Sequence, residues 1–154
     1  MKKMIDVAEI SVSYQPVVGW DTQPKILSSA DAYRVLKNFY PQDTIGLMER
    51  FCVLYLSQSN QVKGVYELSR GGLTGTVADT RLILGTALKT MAVGIILSHN
   101  HPSGNLSPSE PDRQLTEKIR KAASLMDMKL MDHLILSPVE GKYFSFTENN
   151  LLGL

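Results

Sequence analysis

The apolar positions along this chain change their spacing from block to block, and each spacing predicts an element. Ile10, Val12 and Tyr14 alternate with Glu9, Ser11 and Ser13, which predicts a strand over 8–14. Residues 15–27 hold two prolines, a glycine and the sole tryptophan, Trp20, and read as an extended arm; Trp20 is either a packing anchor or a contact for a partner chain. From Ser28 the spacing lengthens. Ala32, Val35, Leu36 and Phe39 recur at helical intervals behind Ser28 and Asp31, which resemble a capping box, and Pro41 breaks the run. Residues 43–49 read as a further helical turn or two. Phe51 to Leu56 is almost continuously apolar, as in a strand covered on both faces, and after the turn signal Ser59-Asn60 the segment Val62 to Leu68 returns as the second strand of a hairpin. Asp79 predicts the cap of a helix through Arg81 to Met91, closed by Gly94, and Ile95 to Ser98 is another buried strand. A helix then starts after Ser107 or Ser109. Pro111 favours the later start, because the first helical turn leaves its N–H groups unpaired anyway. Leu115, Ile119, Ala122 and Ala123 give this helix an inner face to about Met126. Leu130 to Leu136 and Tyr143 to Phe146 are the last strands, and the apolar end at 151–154 either covers the core or meets a second copy in a homodimer.

This order predicts a mixed α/β (α+β) domain over 28–154, preceded by an N-terminal extension, 1–27, made of a strand and an arm. The length of 154 residues suits one ordinary core, and the 44% apolar and 20% charged fractions are those of a globular protein. A net charge of +1 gives no electrostatic support for association with DNA. No apolar run approaches the ~20 residues of a membrane helix. Asp6 and Glu9 interrupt any leader after Met1-Lys2-Lys3, so a cytoplasmic protein without membrane contact is expected. The single cysteine, Cys52, excludes an internal disulfide and reads as a small buried hydrophobe rather than a reactive thiol.

The chemistry concentrates where the strand at 95–98 ends. His99 and His101 are two positions apart, so in extended backbone they aim two imidazoles to one side, and Pro102 favours a strand end. A Pro/Gly/Ser-rich loop then returns Asp112 near a helix start. Two imidazoles and a carboxylate are a common catalytic zinc set with the fourth position left for water. The donor types alone do not exclude another divalent ion. The glycine-rich stretch at 69–78 lacks the Lys-Ser or Lys-Thr of a phosphate-binding loop and reads as backbone shape near the site.

His99-Asn100-His101-Pro102-Ser103-Gly104, followed by Pro108-Ser109 and Asp112 and by Asp132-His133 in an apolar strand, resembles the RadC-like branch of the JAB/MPN (JAMM-motif) domains over roughly 28–150. The resemblance implies an MPN fold, similar to the cytidine-deaminase architecture with a mixed sheet flanked by helices. It implies one zinc ion per chain on His99, His101 and Asp112. It also implies that Glu49, at the junction before the Phe51 strand, is the general base, and that Ser109 holds the oxyanion. On the residues alone Ser109 is equally a helix cap, and Glu49 a solvated glutamate paired with Arg50. Glu9, Glu67 and Glu110 are poorer candidates for the base. Ser98, Ser103 and Asn100 are candidates to support the ligand histidines, and His133 reads as a hydrogen-bonded core histidine. The implied function is a zinc-dependent metallopeptidase or isopeptidase-like hydrolase acting on a peptide or isopeptide. The alternative is a non-catalytic, metal-stabilised accessory protein linked to DNA repair or mobile-element functions. The longer RadC-like proteins carry a helical, DNA-binding-like module before this domain, for which the first 27 residues leave no room. A base deaminase is excluded by its need for zinc-binding cysteines, since this chain has only Cys52.

Overall fold

The computed structural model describes residues 7–16, 19, 22–71 and 77–153. Its elements are α1 (Ser29–Phe39), β1 (Arg50–Leu56), β2 (Val62–Arg70), α2 (Thr80–Lys89), β3 (Gly94–Asn100), α3 (Glu110–Leu125), β4 (Lys129–Leu136) and β5 (Tyr143–Ser145). They make one five-stranded sheet in the order β2-β1-β3-β4-β5. β3 and β4 pair in parallel, and α3 is the crossover that a parallel pair requires; the other neighbours are antiparallel. This is the mixed α and β architecture the sequence predicts, consistent with a JAB/MPN fold.

Each helix begins where a side chain satisfies its first turn. The Ser28 hydroxyl accepts from the Asp31 N–H, and Asp79 does the same for Arg81. Ser109 and Asp112 form a full capping box at the start of α3, with Pro111 in its first turn. The later of the two starts is therefore the real one.

Alternation in the central strands divides the interior into two cores. Phe51, Val53, Tyr55, Ile95 and Leu97 face α2 and α3, packing on Ile83, Ala87, Ile119 and Ala123. Cys52, Leu54, Leu56 and Ile96 face α1, packing on Ala32, Tyr33, Leu36 and Tyr40. Every residue of β1 and β3 is buried, so both strands are covered on both faces as their apolar runs predict. Leu152 is buried in the α2/α3 core and Leu151 packs against it, so these two residues cover the protein's own interior. Cys52 is buried, and burial pushes its thiol up to about 11, which suits a packing role.

Two expectations are corrected. Residues 7–16 form no strand, and Ile10 and Val12 stand exposed; only Tyr14 docks, its phenol donating to the Lys63 carbonyl and its ring lying 5.4 Å from the Lys63 ammonium. The alternation is present, but no neighbouring strand supplies its hydrogen bonds. Gly94 does not close α2, which ends at Lys89, with Met91 taking the positive φ of 53°. Gly94 instead opens β3, where an added Cβ would lie 3.0 Å from Met131 Sδ and 3.1 Å from Leu56 Cβ. Close strand packing, not helix termination, requires that glycine. Trp20 and most of the glycine-rich loop, residues 72–76, lie outside the described residues. Among the described residues no helix is long and apolar enough to cross a membrane.

Candidate metal centre

The site forms where β3 leaves the sheet. His99 is in register with Phe51 of β1 and Ile135 of β4, and the His101 N–H donates to the Leu136 carbonyl at 3.0 Å, so the backbone stays extended through both histidines. Their side chains therefore share one face. Pro102 and Ser103 then turn the chain, with the Gly104 N–H on the His101 carbonyl at 2.9 Å and Gly104 at φ +81°, where a side chain would be strained. The turn carries the Asn105 carbonyl back to His101 Nδ1. A carbonyl can only accept, so His101 Nδ1 carries the proton and its Nε2 is the bare nitrogen of the neutral ring.

That nitrogen points at His99 Nε2, 3.0 Å away. The Asp112 carboxylate completes the group, with Oδ1 at 3.4 Å from His99 Nε2 and Oδ2 at 3.8 Å from His101 Nε2. Among the described residues, His99, His101 and Asp112 are the group of donors able to hold a metal ion. Bonds of about 2.0–2.1 Å in a tetrahedron imply donor separations of roughly 3.3 Å, so the spacing suits a small divalent ion. His99 is 1% exposed, whereas the His101 and Asp112 side chains are 18% and 17% exposed, so the group has a buried floor and an open side.

Asp112 serves two structures. Its Oδ2 accepts from the Ser109 N–H at 2.8 Å as part of the capping box, leaving Oδ1 as the oxygen nearest His99. Burial on its own raises this carboxyl. The hydrogen bond to His99 and its electrostatic attraction, together with the Ser109 contacts, outweigh burial and hold it well below the usual carboxylate range.

The other sequence-predicted residues are placed as follows. The Ser109 hydroxyl accepts from the Asp112 N–H at 3.1 Å, and its own proton is not used by that bond. Glu49 is half-buried immediately before β1 and is outside the donor group. It is not the partner of Arg50, whose buried guanidinium bonds Glu67 at 2.7 Å and Thr44 at 3.2 Å. Glu67 is thereby committed to Arg50 and Arg70.

The expected support for the ligand histidines is also corrected. Successive residues of a strand face opposite sides, so Ser98 and Asn100 point away from the His99 ring. Ser98 donates to the Cys52 carbonyl at 3.1 Å and lies 3.0 Å from the Tyr40 hydroxyl. Ser103 accepts from the Asn105 N–H at 3.2 Å. Asn100 does something the sequence did not suggest. Its amide donates to the Ile45 and Met48 carbonyls at 2.8 and 2.9 Å, and its oxygen accepts from the Arg50 N–H at 2.7 Å. One buried amide thus clamps the backbone on both sides of Glu49. The support for His99 comes from His133, whose Nε2 lies 2.8 Å from His99 Nδ1, and strand alternation was the available signal for a partner on β4. His133 is fully buried, and that burial holds its ring far below the ordinary histidine value, hence neutral. Phe51 stacks on His99 at 6.0 Å and Phe146 on His133 at 4.7 Å, walling both rings with apolar surface.

The family profile of the RadC-like JAB domain matches residues 26–151. The chain belongs to the RadC-like JAB domain family. Similar relatives include a UPF0758 protein of Flavobacterium johnsoniae, 44% identical over 129 residues, which span 82% of this chain and 53% of that one. Another, from Porphyromonas gingivalis, is 45% identical over 130 residues, 82% and 54% of the two chains. A third, from Aquifex aeolicus, is 37% identical over 134 residues, 87% and 55% of the two. The chain therefore spans about half the length of the relatives it matches.

Proposed function

We propose that this domain is a zinc-dependent hydrolase of the metallopeptidase or isopeptidase type, cleaving an amide bond in a peptide or isopeptide. One observation carries the reading: the His101 Nε2 lone pair, His99 Nε2 and the Asp112 carboxylate converge on one point, and no cationic side chain is among them. His99, His101 and Asp112 would hold the ion. A divalent ion there supplies Lewis acidity, lowering the pKa of water toward neutrality and polarising a carbonyl.

The remaining steps belong to the chain. Glu49 takes a proton from the attacking water on its carboxylate and returns it to the leaving amine. Its support is positional: it directly precedes the strand whose Phe51 faces His99, and Asn100 fixes the backbone on either side of it. Ser109 presents its hydroxyl proton to the carbonyl oxygen as negative charge develops there, while its oxygen keeps the cap on α3. The buried Phe51 and Phe146 rings exclude water from the floor, so the substrate approaches over His101 and Asp112.

The test is metal content by elemental analysis on protein purified without added metal, followed by a screen of peptide and isopeptide substrates. About one zinc per chain, with hydrolysis abolished in Glu49→Gln but metal retained, is expected. Full zinc loading without hydrolysis of any such substrate would favour the accessory-protein reading, and no uptake even when zinc is offered would end the hydrolase reading.

A further inference from the structure

The hydrogen bonds behind His99 contain more information than their lengths, because their protons can be assigned one after another. The chain of contacts begins on α3. Thr116 Oγ1 lies 2.6 Å from the Asp112 carbonyl oxygen and 2.6 Å from His133 Nδ1. A carbonyl has no proton to give, so the single hydroxyl proton of Thr116 lies on the Asp112 side. Thr116 Oγ1 must then accept from His133, which puts the His133 proton on Nδ1. A neutral His133 therefore has a bare Nε2, and that atom faces His99 Nδ1 at 2.8 Å. His99 must carry its proton on Nδ1, and its Nε2 is left to the donor group.

We propose that Thr116 and His133 are positioning residues that fix the tautomer of His99, so that its Nε2 lone pair faces the metal. This rests on the reading of His99 as a ligand. The same hydroxyl grips the backbone of Asp112, so one chain of three hydrogen bonds ties two of the three donors together through β4. Thr116, His133 and His99 are each no more than 2% exposed, so no water competes for these protons. The acceptor behind His99 is a neutral imidazole, where a ligand histidine commonly meets a carboxylate or a carbonyl. A neutral acceptor adds no negative charge behind the ligand, so the Lewis acidity of a bound ion is not diminished from that side.

The test has two readouts, neither of them catalytic. Two-bond proton–nitrogen NMR spectra of the histidine rings, on the full chain without metal, report tautomers directly. His133 is expected as the Nδ1–H form with an unprotonated Nε2; an Nε2–H form would overturn the proposal whether or not the protein binds metal. Zinc titration then compares wild type with Thr116→Val, which keeps the shape and removes the hydroxyl, and Thr116→Ser, which restores it. The loss of outer support typically lowers metal affinity about 10–100-fold, so that loss is expected for Thr116→Val and recovery for Thr116→Ser. Equal affinity in all three would overturn the proposal. Should Thr116→Val fail to fold, judged by its far-ultraviolet circular dichroism, the His133 tautomer in the wild type decides alone. Wild-type protein that takes up no zinc would defeat the ligand reading, while a correct His133 tautomer in the same sample would still support the relay.

Discussion

The two faces of the central sheet do different work, although they are built from the same strands. The face toward α2 and α3 carries His99, His133 and the approach of Asp112, so it holds the donors. The face toward α1 carries Ser98, Asn100 and the Tyr40 hydroxyl, so it holds the fastenings that place the start of β1. Adjacent residues of β3 alternate between the two tasks: Ser98, His99, Asn100. The lesson is that the sequence of one strand can encode a ligand and its scaffold in interleaved positions, and that the two should separate under mutation.

The largest expected separation comes from His101→Ala. It should lower zinc affinity by more than about 100-fold, beyond the usual loss from outer support, while the metal-free protein keeps its stability. Titration calorimetry and urea unfolding on the same sample check both halves. The converse is Leu134→Ala on the α1 face, where Leu134 is fully buried. It should cost about 2–5 kcal/mol in urea unfolding and leave the zinc affinity of the folded protein unchanged. Asn100→Ala strands the Arg50 N–H and the Ile45 and Met48 carbonyls, so it should cost about 1–3 kcal/mol. It too should spare zinc affinity while hydrolysis falls, and a variant that lost metal instead would erase the distinction between the faces.

Acid supplies a smaller, graded probe of the donor face. In the unfolded chain His133 takes up a proton below its ordinary value of 6.5, whereas burial keeps it neutral in the folded protein. The unfolded state therefore binds more protons, and stability is present above 6.5 and lost as pH falls. This one group should contribute up to about 1.4 kcal/mol per pH unit below 6.5, read by urea unfolding of metal-free protein. His133→Phe should flatten that slope. The depressed Asp112 carboxyl acts in the same direction at lower pH, its contribution being lost as pH falls below its ordinary 3.8. The smallest effect is expected from Tyr40→Phe, which removes a hydroxyl bonded to Ser98 and, more weakly, to the Arg50 carbonyl on the α1 face; it should cost about 1 kcal/mol and leave zinc affinity untouched.

Much of this was legible in the chain. The apolar runs of β1 and β3 and the caps at Ser28, Asp79 and Ser109 are local signals, and each operates in the structure as local physics predicts. His99, His101 and Asp112 were legible because strand alternation and a helix start place them without reference to anything distant. What was not legible depends on partners. Ile10, Val12 and Tyr14 alternate like a strand, yet a strand exists only through hydrogen bonds to a neighbour. The carbonyl of Asn105 supports His101 as backbone and leaves no mark in the sequence. Asn100 looked like a support for its neighbours because it stands between them, whereas its side chain works on the opposite face.

The parallel pairing of β3 with β4 has a consequence in time. The β1–β2 hairpin closes over a short turn, but β3 and β4 can zip only after α3 has crossed the sheet, so their register forms more slowly than the hairpin's. The donor residues lie on both sides of that crossover's first joint. An ion held by His99, His101 and Asp112 would therefore act as a clasp across this late-forming crossover, and its main signature would be slower unfolding rather than faster folding.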